Sequence, residues 1–126
     1  MAMSNEGGSG DRRSRIDALV VNTNRTADRA RLHGVLAIGR VVFNELFDGD
    51  SALVTGRGRR FVGYRRFVEH ARLSISAKRV WEAVRLCVLH DTLREEARDA
   101  LSFPQLRALL GAPDPRALAE AAVREG

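Results

Sequence analysis

The segment FVGYRRFVEHARLSISAKRVWEAVRLCVLH, residues 61–90, predicts two amphipathic helices separated by a short break. Apolar residues recur at helical spacing over residues 61–71 and again over residues 77–90. A break of about four residues leads to Ser76, a residue type that is favoured as a helix N-cap. A supporting helix followed by a serine-capped, cationic helix is typical of the helix-turn-helix motif, which we therefore predict over residues 61–90.

The second helix of such a motif lies in the major groove of DNA, with its N-terminal residues against the base edges. Arginine and lysine can donate to guanine O6 and N7, and glutamate can accept from cytosine N4. The backbone N–H groups at a helix N-terminus can also bind a phosphate. The residues expected to face the groove are Ser76, Lys78, Arg79, Glu82 and Arg85.

The excess positive charge of the chain lies in the same region. The formal net charge of the 126 residues is +5, and all of the 21 basic residues except Lys78 are arginine. Residues 51–90 carry nine basic and two acidic side chains, net +7, whereas residues 1–50 sum to zero and residues 91–126 to −2. A localised positive field attracts polyanions, most often nucleic acid. The alternative is a solvated, arginine-rich face.

Residues 51–60, SALVTGRGRR, are expected to form a mobile basic loop, because they contain two glycines and three arginines without an acid. The segment lacks the Gly-Lys-Ser/Thr ending of a loop that binds nucleotide triphosphates. We therefore expect the loop to contact the nucleic-acid backbone. The phosphate-binding candidates are Arg57, Arg59 and Arg60, with Arg65 and Arg66 on the supporting helix as lesser ones.

The remainder of the chain predicts an all-α fold, a compact bundle of four to six helices with a disordered N-terminal tail. Aromatic residues make up only 6% of the chain, which favours packed helices over a β-sandwich. The expected organisation is a flexible tail at residues 1–14 and a single helical domain at 15–126, with a long helix at 26–48 and a C-terminal helical pair at 101–126. The two helices of this pair are expected to begin at Ser102 and at Asp114.

Several local features are expected along these elements. Thr26 is expected to cap the long helix after an interruption at residues 22–24, with Asp28 in its first turn. Gly39 is expected at a close contact between helices. The apolar residues 16–21 are compatible with strand or helix, and the charged residues 94–99 with a helix continuation or a polar connector.

The order of residues in LSISAKRVWEAVRL, residues 73–86, resembles the recognition-helix segment of the bacterial ParB/KorB partition family. Residues 101–122 are similar to the segment that follows in that family, so the resemblance covers roughly residues 61–126. It implies a DNA-binding module used in partition or transcriptional regulation. Ser74 and Trp81 stand where the family has a glycine and a small residue. The family's nucleotide-binding and C-terminal dimerisation domains have no counterpart, so the resemblance does not imply nucleotide-dependent clamping.

No catalytic residue, metal ligand or cofactor is expected. His33, His70 and His90 are too scattered for a metal site, and Cys87 lies on an apolar stripe, where an inert thiol is expected. No apolar run is long enough to span a membrane, and the N-terminus lacks the pattern of a signal peptide, so a cytoplasmic protein is expected, associated with the nucleoid if it binds DNA.

The expected partner is double-stranded DNA, bound by a homodimer, because a single motif of this kind usually binds weakly. The alternative is a protein-interaction module, in which the long helix exposes apolar residues and the basic region binds an acidic protein or RNA. DNA binding requires the arginines of residues 57–60 to share one surface with Arg79 and Arg85. Scattering of these residues, or burial of Arg79 against the long helix, favours the alternative.

Overall fold

The computed structural model describes the backbone of residues 8–125 and the side chains of residues 12–124. Within that range it contains no strand, so the all-α prediction is confirmed. The described range contains seven α-helices rather than four to six, because short helices also form at residues 51–56, where a loop was expected, and at residues 95–100, where a helix continuation or a polar connector was expected. The elements are α1 (Gly8–Phe47), α2 (Ser51–Gly56), a 3-10 turn (Gly58–Arg60), α3 (Val62–Val68), α4 (Ala77–Thr92), α5 (Glu95–Ala100), α6 (Phe103–Leu109) and α7 (Pro115–Glu125).

Helix α1 is 40 residues long and spans about 60 Å. It starts well before residue 26, so positions 8–14 of the expected tail are helical, and residues 1–7 lie outside the described part. The prediction that residues 22–24 interrupt the helix is wrong. Thr26 is an interior residue rather than a cap, because its hydroxyl donates to the Asn22 carbonyl one turn earlier, at 2.8 Å.

The C-terminal end of α1 lies where the sequence predicted it. Asp48 and Gly49 adopt left-handed backbone angles, with φ of 53° and 66°, and the Asp50 N–H donates to the Phe47 carbonyl at 2.9 Å. Asp50 then begins α2, because its side chain accepts from the Ala52 N–H at 2.9 Å. The prediction of a mobile loop at residues 51–60 is therefore wrong: a capped helix with a buried Val54 occupies its first half.

Helices α1 and α4 meet at Gly39, which confirms the expected close contact. A Cβ atom at this glycine would lie only 2.7 Å from the carbonyl carbon of Ala83 and 3.0 Å from the Cβ of Cys87. Two bonds of 2.6 Å between the Arg40 guanidinium and the Asp91 carboxylate fasten the two helices further along. The backbone of α1 thus packs directly on α4.

Helix α4 contributes to two clusters of buried side chains. Val80, Val84 and Cys87 point into the first cluster, with residues from α1, α2 and α3. Leu86 and Leu89 point into the second, which α5, α6 and α7 complete. The buried members of the second cluster beyond α4 are Leu93, Ala97, Leu101, Phe103, Leu106, Leu109 and Ala119.

The two helices of the predicted helix-turn-helix differ from expectation in their spacing. Helix α3 is shorter than the predicted residues 61–71, and residues 69–76 connect it to α4, twice the expected break. The imidazole Nδ1 of His70 accepts from the Arg72 N–H at 3.1 Å, which turns the chain within this connector. The predicted cap of α4 is confirmed, because the Ser76 hydroxyl accepts from the Arg79 N–H at 3.2 Å.

The C-terminal helices begin at the caps that the sequence predicted. Ser102 and Gln105 form a reciprocal capping box at the start of α6. Asp114 accepts from the Ala117 N–H at 3.1 Å at the start of α7. Asp28 does not serve the first turn of α1 as expected, since its carboxylate instead accepts from the Phe103 N–H at 3.0 Å and so caps α6. Residues 95–100 form a helix of their own, α5, because Ala97 is buried in the second cluster.

We expect the stability of the fold to fall as the pH drops from 7 to 5. Burial lowers the pKa of His90, and the charge of Arg98 lowers it further. The unfolded imidazole, with a pKa near 6.5, therefore takes up a proton that the folded one resists, so acid favours the unfolded chain. Urea denaturation across this pH range measures the loss. This loss of stability at low pH should disappear in His90→Gln and persist in His33→Gln, a change at an exposed histidine. Identical profiles for His90→Gln and the wild type would contradict it.

Candidate nucleic-acid interface

Four aromatic rings pack together beneath the arginine-rich segment. The ring centroid of Phe47 lies 5.6 Å from that of Phe61, 5.8 Å from that of Tyr64 and 6.3 Å from that of Trp81. The centroids of Tyr64 and Trp81 are 5.3 Å apart in an edge-to-face arrangement. The rings come from α1, from the residue before α3, from α3 and from α4. This aromatic cluster therefore fixes the position of the arginine-bearing segment relative to the long helices.

Two arginine side chains lie over rings of the aromatic cluster. The guanidinium carbon of Arg57 is 5.6 Å from the centroid of Phe61, and that of Arg59 is 6.0 Å from the centroid of Trp81. Both distances are within the range of cation–π interactions. Gly58, between them, has a left-handed φ of 54°, which an L side chain rarely adopts. The aromatic rings thus position both cations on an ordered turn.

We define the arginine surface as the five exposed arginines of this segment: Arg57, Arg59, Arg60, Arg65 and Arg66. Among the residues that the structure describes, none of the five forms an ion pair with a carboxylate. The acidic residues within residues 51–90 are Glu69 and Glu82, and Glu82 pairs with Arg107 at 3.2 Å. The positive charge of the arginine surface is therefore not neutralised within the described chain.

Tyr64 lies under the arginine surface, in packing that is closed to solvent. Its side chain is 2% exposed, and its hydroxyl has no hydrogen-bond partner in the described structure. Burial raises the pKa of Tyr64 to about 12, while the charge of Arg59 acts in the opposite direction. The phenol is therefore neutral at physiological pH and serves as part of the packing.

The residues predicted to face the major groove divide into two groups. Lys78 and Arg79 are exposed on the first turn of α4, and they line an open groove together with Ser76 and the half-buried Glu82. Arg85 lines a different groove, between α4, α2 and the start of α7, where its guanidinium donates to the Leu110 carbonyl. Lys78 and Arg79 remain exposed, whereas Glu82 and Arg85 have partners within the protein.

The geometric requirement for DNA binding is met in part. Arg79 is exposed and is not buried against α1. Arg59 and Arg85 lie on the same flank of α4, since Arg59 stands over Trp81 and Trp81 lines the groove that holds Arg85. Arg79 and Arg85, however, line separate grooves with no lining residue in common. The face that carries both of them is therefore divided, because Glu82 of α4, which pairs with Arg107 of α6, lies between the two positions.

Two further cations near α4 were not among the predicted site residues. The guanidinium carbon of Arg31 lies 5.3 Å from the ring centroid of Phe103, and that of Arg107 lies 5.6 Å from it. Phe103 and Arg107 are four residues apart on α6, so their contact is local, whereas Arg31 belongs to α1 and reaches Phe103 only through the tertiary packing. The sequence offers no local pattern that would have identified the contact between Arg31 and Phe103.

The described residues offer little support for a metal site, a reactive cysteine or a membrane-spanning helix. No group of three or more His, Cys, Asp or Glu side chains in the described range is placed to hold a metal ion. Cys87 is buried, and burial raises the pKa of its thiol. None of the described helices combines the length and apolar character needed to cross a membrane. Comparisons with protein-family models, curated proteins and solved structures found no match.

Proposed function

We propose that the chain binds double-stranded DNA through the arginine surface and the first turn of α4. The observation that supports this most directly is the arginine surface itself: five exposed guanidinium groups with no carboxylate partner in the described part of the chain, two of them held over aromatic rings. Guanidinium groups bind phosphate oxygens with matched, charge-assisted hydrogen bonds. Phosphate contacts supply most of the affinity of a DNA-binding protein and fix its position on the duplex.

The first turn of α4 is the proposed base-reading element. Lys78 and Arg79 are exposed there, next to the capped helix N-terminus at Ser76. Arginine and lysine are the side chains that most often read guanine in the major groove. Glu82 and Arg85 have lesser roles in this proposal, because the protein itself already engages them. The likeness to the ParB/KorB family, a role in partition or regulation, and binding as a homodimer all belong to this proposal.

The test is fluorescence anisotropy with a random-sequence duplex over a series of salt concentrations. We expect the logarithm of the binding constant to fall linearly with the logarithm of salt concentration, with a slope of several units. Arg59→Ala should reduce that slope by about one unit, because one phosphate contact is lost. Arg94→Ala, a change at an exposed arginine outside the arginine surface, is the matched control and should leave the slope unchanged. Absence of binding at low salt, or equal slopes for the two variants, would refute the proposal.

A protein-interaction module is the second candidate function, and a separate observation favours it. Ile16, Leu19, Val20 and Val21 on the first half of α1 are between 52% and 64% exposed. Clustered apolar residues at a protein surface commonly mark a contact with another molecule. If DNA binding fails in the anisotropy experiment, this face becomes the first place to look for a partner.

A further inference from the structure

An open groove of about 700 Å³ lies between α1, the first turns of α4, and α6. Its floor is apolar, and its rim carries five charged side chains. The floor is formed by Val35, Ile38, Ile75, Ala83 and Phe103, and the charged rim by Arg31, Lys78, Arg79, Glu82 and Arg107. Four of the five rim charges are positive, so the groove combines an apolar floor with a basic edge.

The pairing of the rim charges leaves the groove strongly positive. Glu82 is the single acid of the rim, and its carboxylate is 3.2 Å from the guanidinium of Arg107. Arg31, Lys78 and Arg79 have no carboxylate partner among the described residues. An occupant with apolar residues on one side and acidic residues at its edges would match both properties of the groove.

Gly34 on the wall of the groove provides an independent indication. A Cβ atom at Gly34 would have no heavy atom within 4 Å, so packing within the chain does not require glycine there. Glycine inside a helix costs about 1 kcal/mol relative to alanine. At Gly39 that cost is explained by the contact with Ala83, whereas at Gly34 the described chain offers no such contact. The missing side chain leaves room for the close approach of a second backbone.

We infer that this groove binds an acidic amphipathic helix of a partner protein. In this mode of recognition, apolar residues spaced by three or four positions enter the groove, while the polar face stays at its edge. The glutamates or aspartates of the partner would face Arg31, Lys78 and Arg79. A nucleic-acid backbone fits less well, because it has no apolar face to cover Ile38 and Val35. The inference does not rest on DNA binding, but Lys78 and Arg79 also belong to the proposed DNA-binding surface, so a duplex and the partner helix would exclude each other there.

The test is a selection of random 16-residue peptides displayed against the full chain, with counter-selection against Gly34→Leu. The added side chain enters the groove and obstructs it at Gly34, and the open space around Gly34 allows the variant to fold, which circular dichroism checks. We expect the enriched peptides to be acidic, with apolar residues at helical spacing. Their affinity should fall at least tenfold for Gly34→Leu and stay unchanged for Ala37→Leu, a change on the same helix outside the groove lining.

Charge reversal provides the second arm of the test. Arg31→Glu should weaken binding of the acidic peptides at least tenfold, and replacing by lysine only the acidic residue that faces position 31 should restore binding to this variant. Enrichment of no peptide, enrichment of basic peptides, or equal affinity for Gly34→Leu and the wild type would overturn the inference. So would a wild-type dimer in sedimentation that Gly34→Leu dissociates, because the occupant would then be a second copy of this chain.

Discussion

Replacing Phe47 by alanine should lower the free energy of unfolding by about 3–5 kcal/mol. The Phe47 side chain is completely buried, and its ring contacts the rings of Phe61, Tyr64 and Trp81. The substitution removes the apolar contacts of the central ring and leaves a cavity among three rings that come from different parts of the chain. Urea denaturation at pH 7.5 measures the change.

The matched control for Phe47→Ala is Val41→Ala, which shortens an apolar side chain on the same helix. Val41 is 63% exposed, so its truncation should change the free energy of unfolding by less than about 0.5 kcal/mol. Because the aromatic cluster holds Arg57 and Arg59, Phe47→Ala should also weaken DNA binding in conditions where the variant is still folded. A loss of stability below about 1 kcal/mol would show that Phe47 is not the centre of the cluster.

The two interior glycines of α1 should respond to alanine in opposite directions. Gly39→Ala should destabilise the protein by about 1–3 kcal/mol, because the new methyl group would meet the backbone of α4 at Ala83. Gly34→Ala should stabilise it by about 0.5–1 kcal/mol, because the methyl group meets nothing and alanine is the better helix former. Thermal and urea denaturation of both variants decide this. Stabilisation by both would mean that α1 and α4 are further apart than described.

The helix ends that the sequence predicted correctly are those that depend on neighbouring residues. Ser76 and Ser102 cap α4 and α6, and Asp114 caps α7, through bonds that span only three positions in the chain. The end of α1 at residues 48–50 is equally local. The close contact at Gly39 was also predictable, because glycine is a poor helix former and its place within an apolar helical stripe favours a close approach between two helices.

Tertiary contacts decide the features that the sequence missed. Residues 51–56 become helical because Asp50 caps them and Val54 is buried. The glycines and arginines that follow them led to the prediction of a loop instead. Asp28 finds its partner 75 positions away, at the start of α6. In the candidate interface, the charge pattern predicted the residue types and their exposure. It did not predict which side chains contact one another, since no spacing rule connects Arg59 to Trp81 or Glu82 to Arg107.

Helix α4 connects the two apolar clusters of the described residues. Val80 and Val84 on one side of α4, and Leu86 and Leu89 on the other, belong to different apolar clusters. A fragment ending after α4 would lack the helices that cover Leu86 and Leu89, and these two leucines would be exposed to water. We therefore expect residues 61–90 to lose stability when they are separated from the C-terminal helices. Those helices carry none of the arginine surface, but they cover one side of the helix on which the arginine-bearing segment packs.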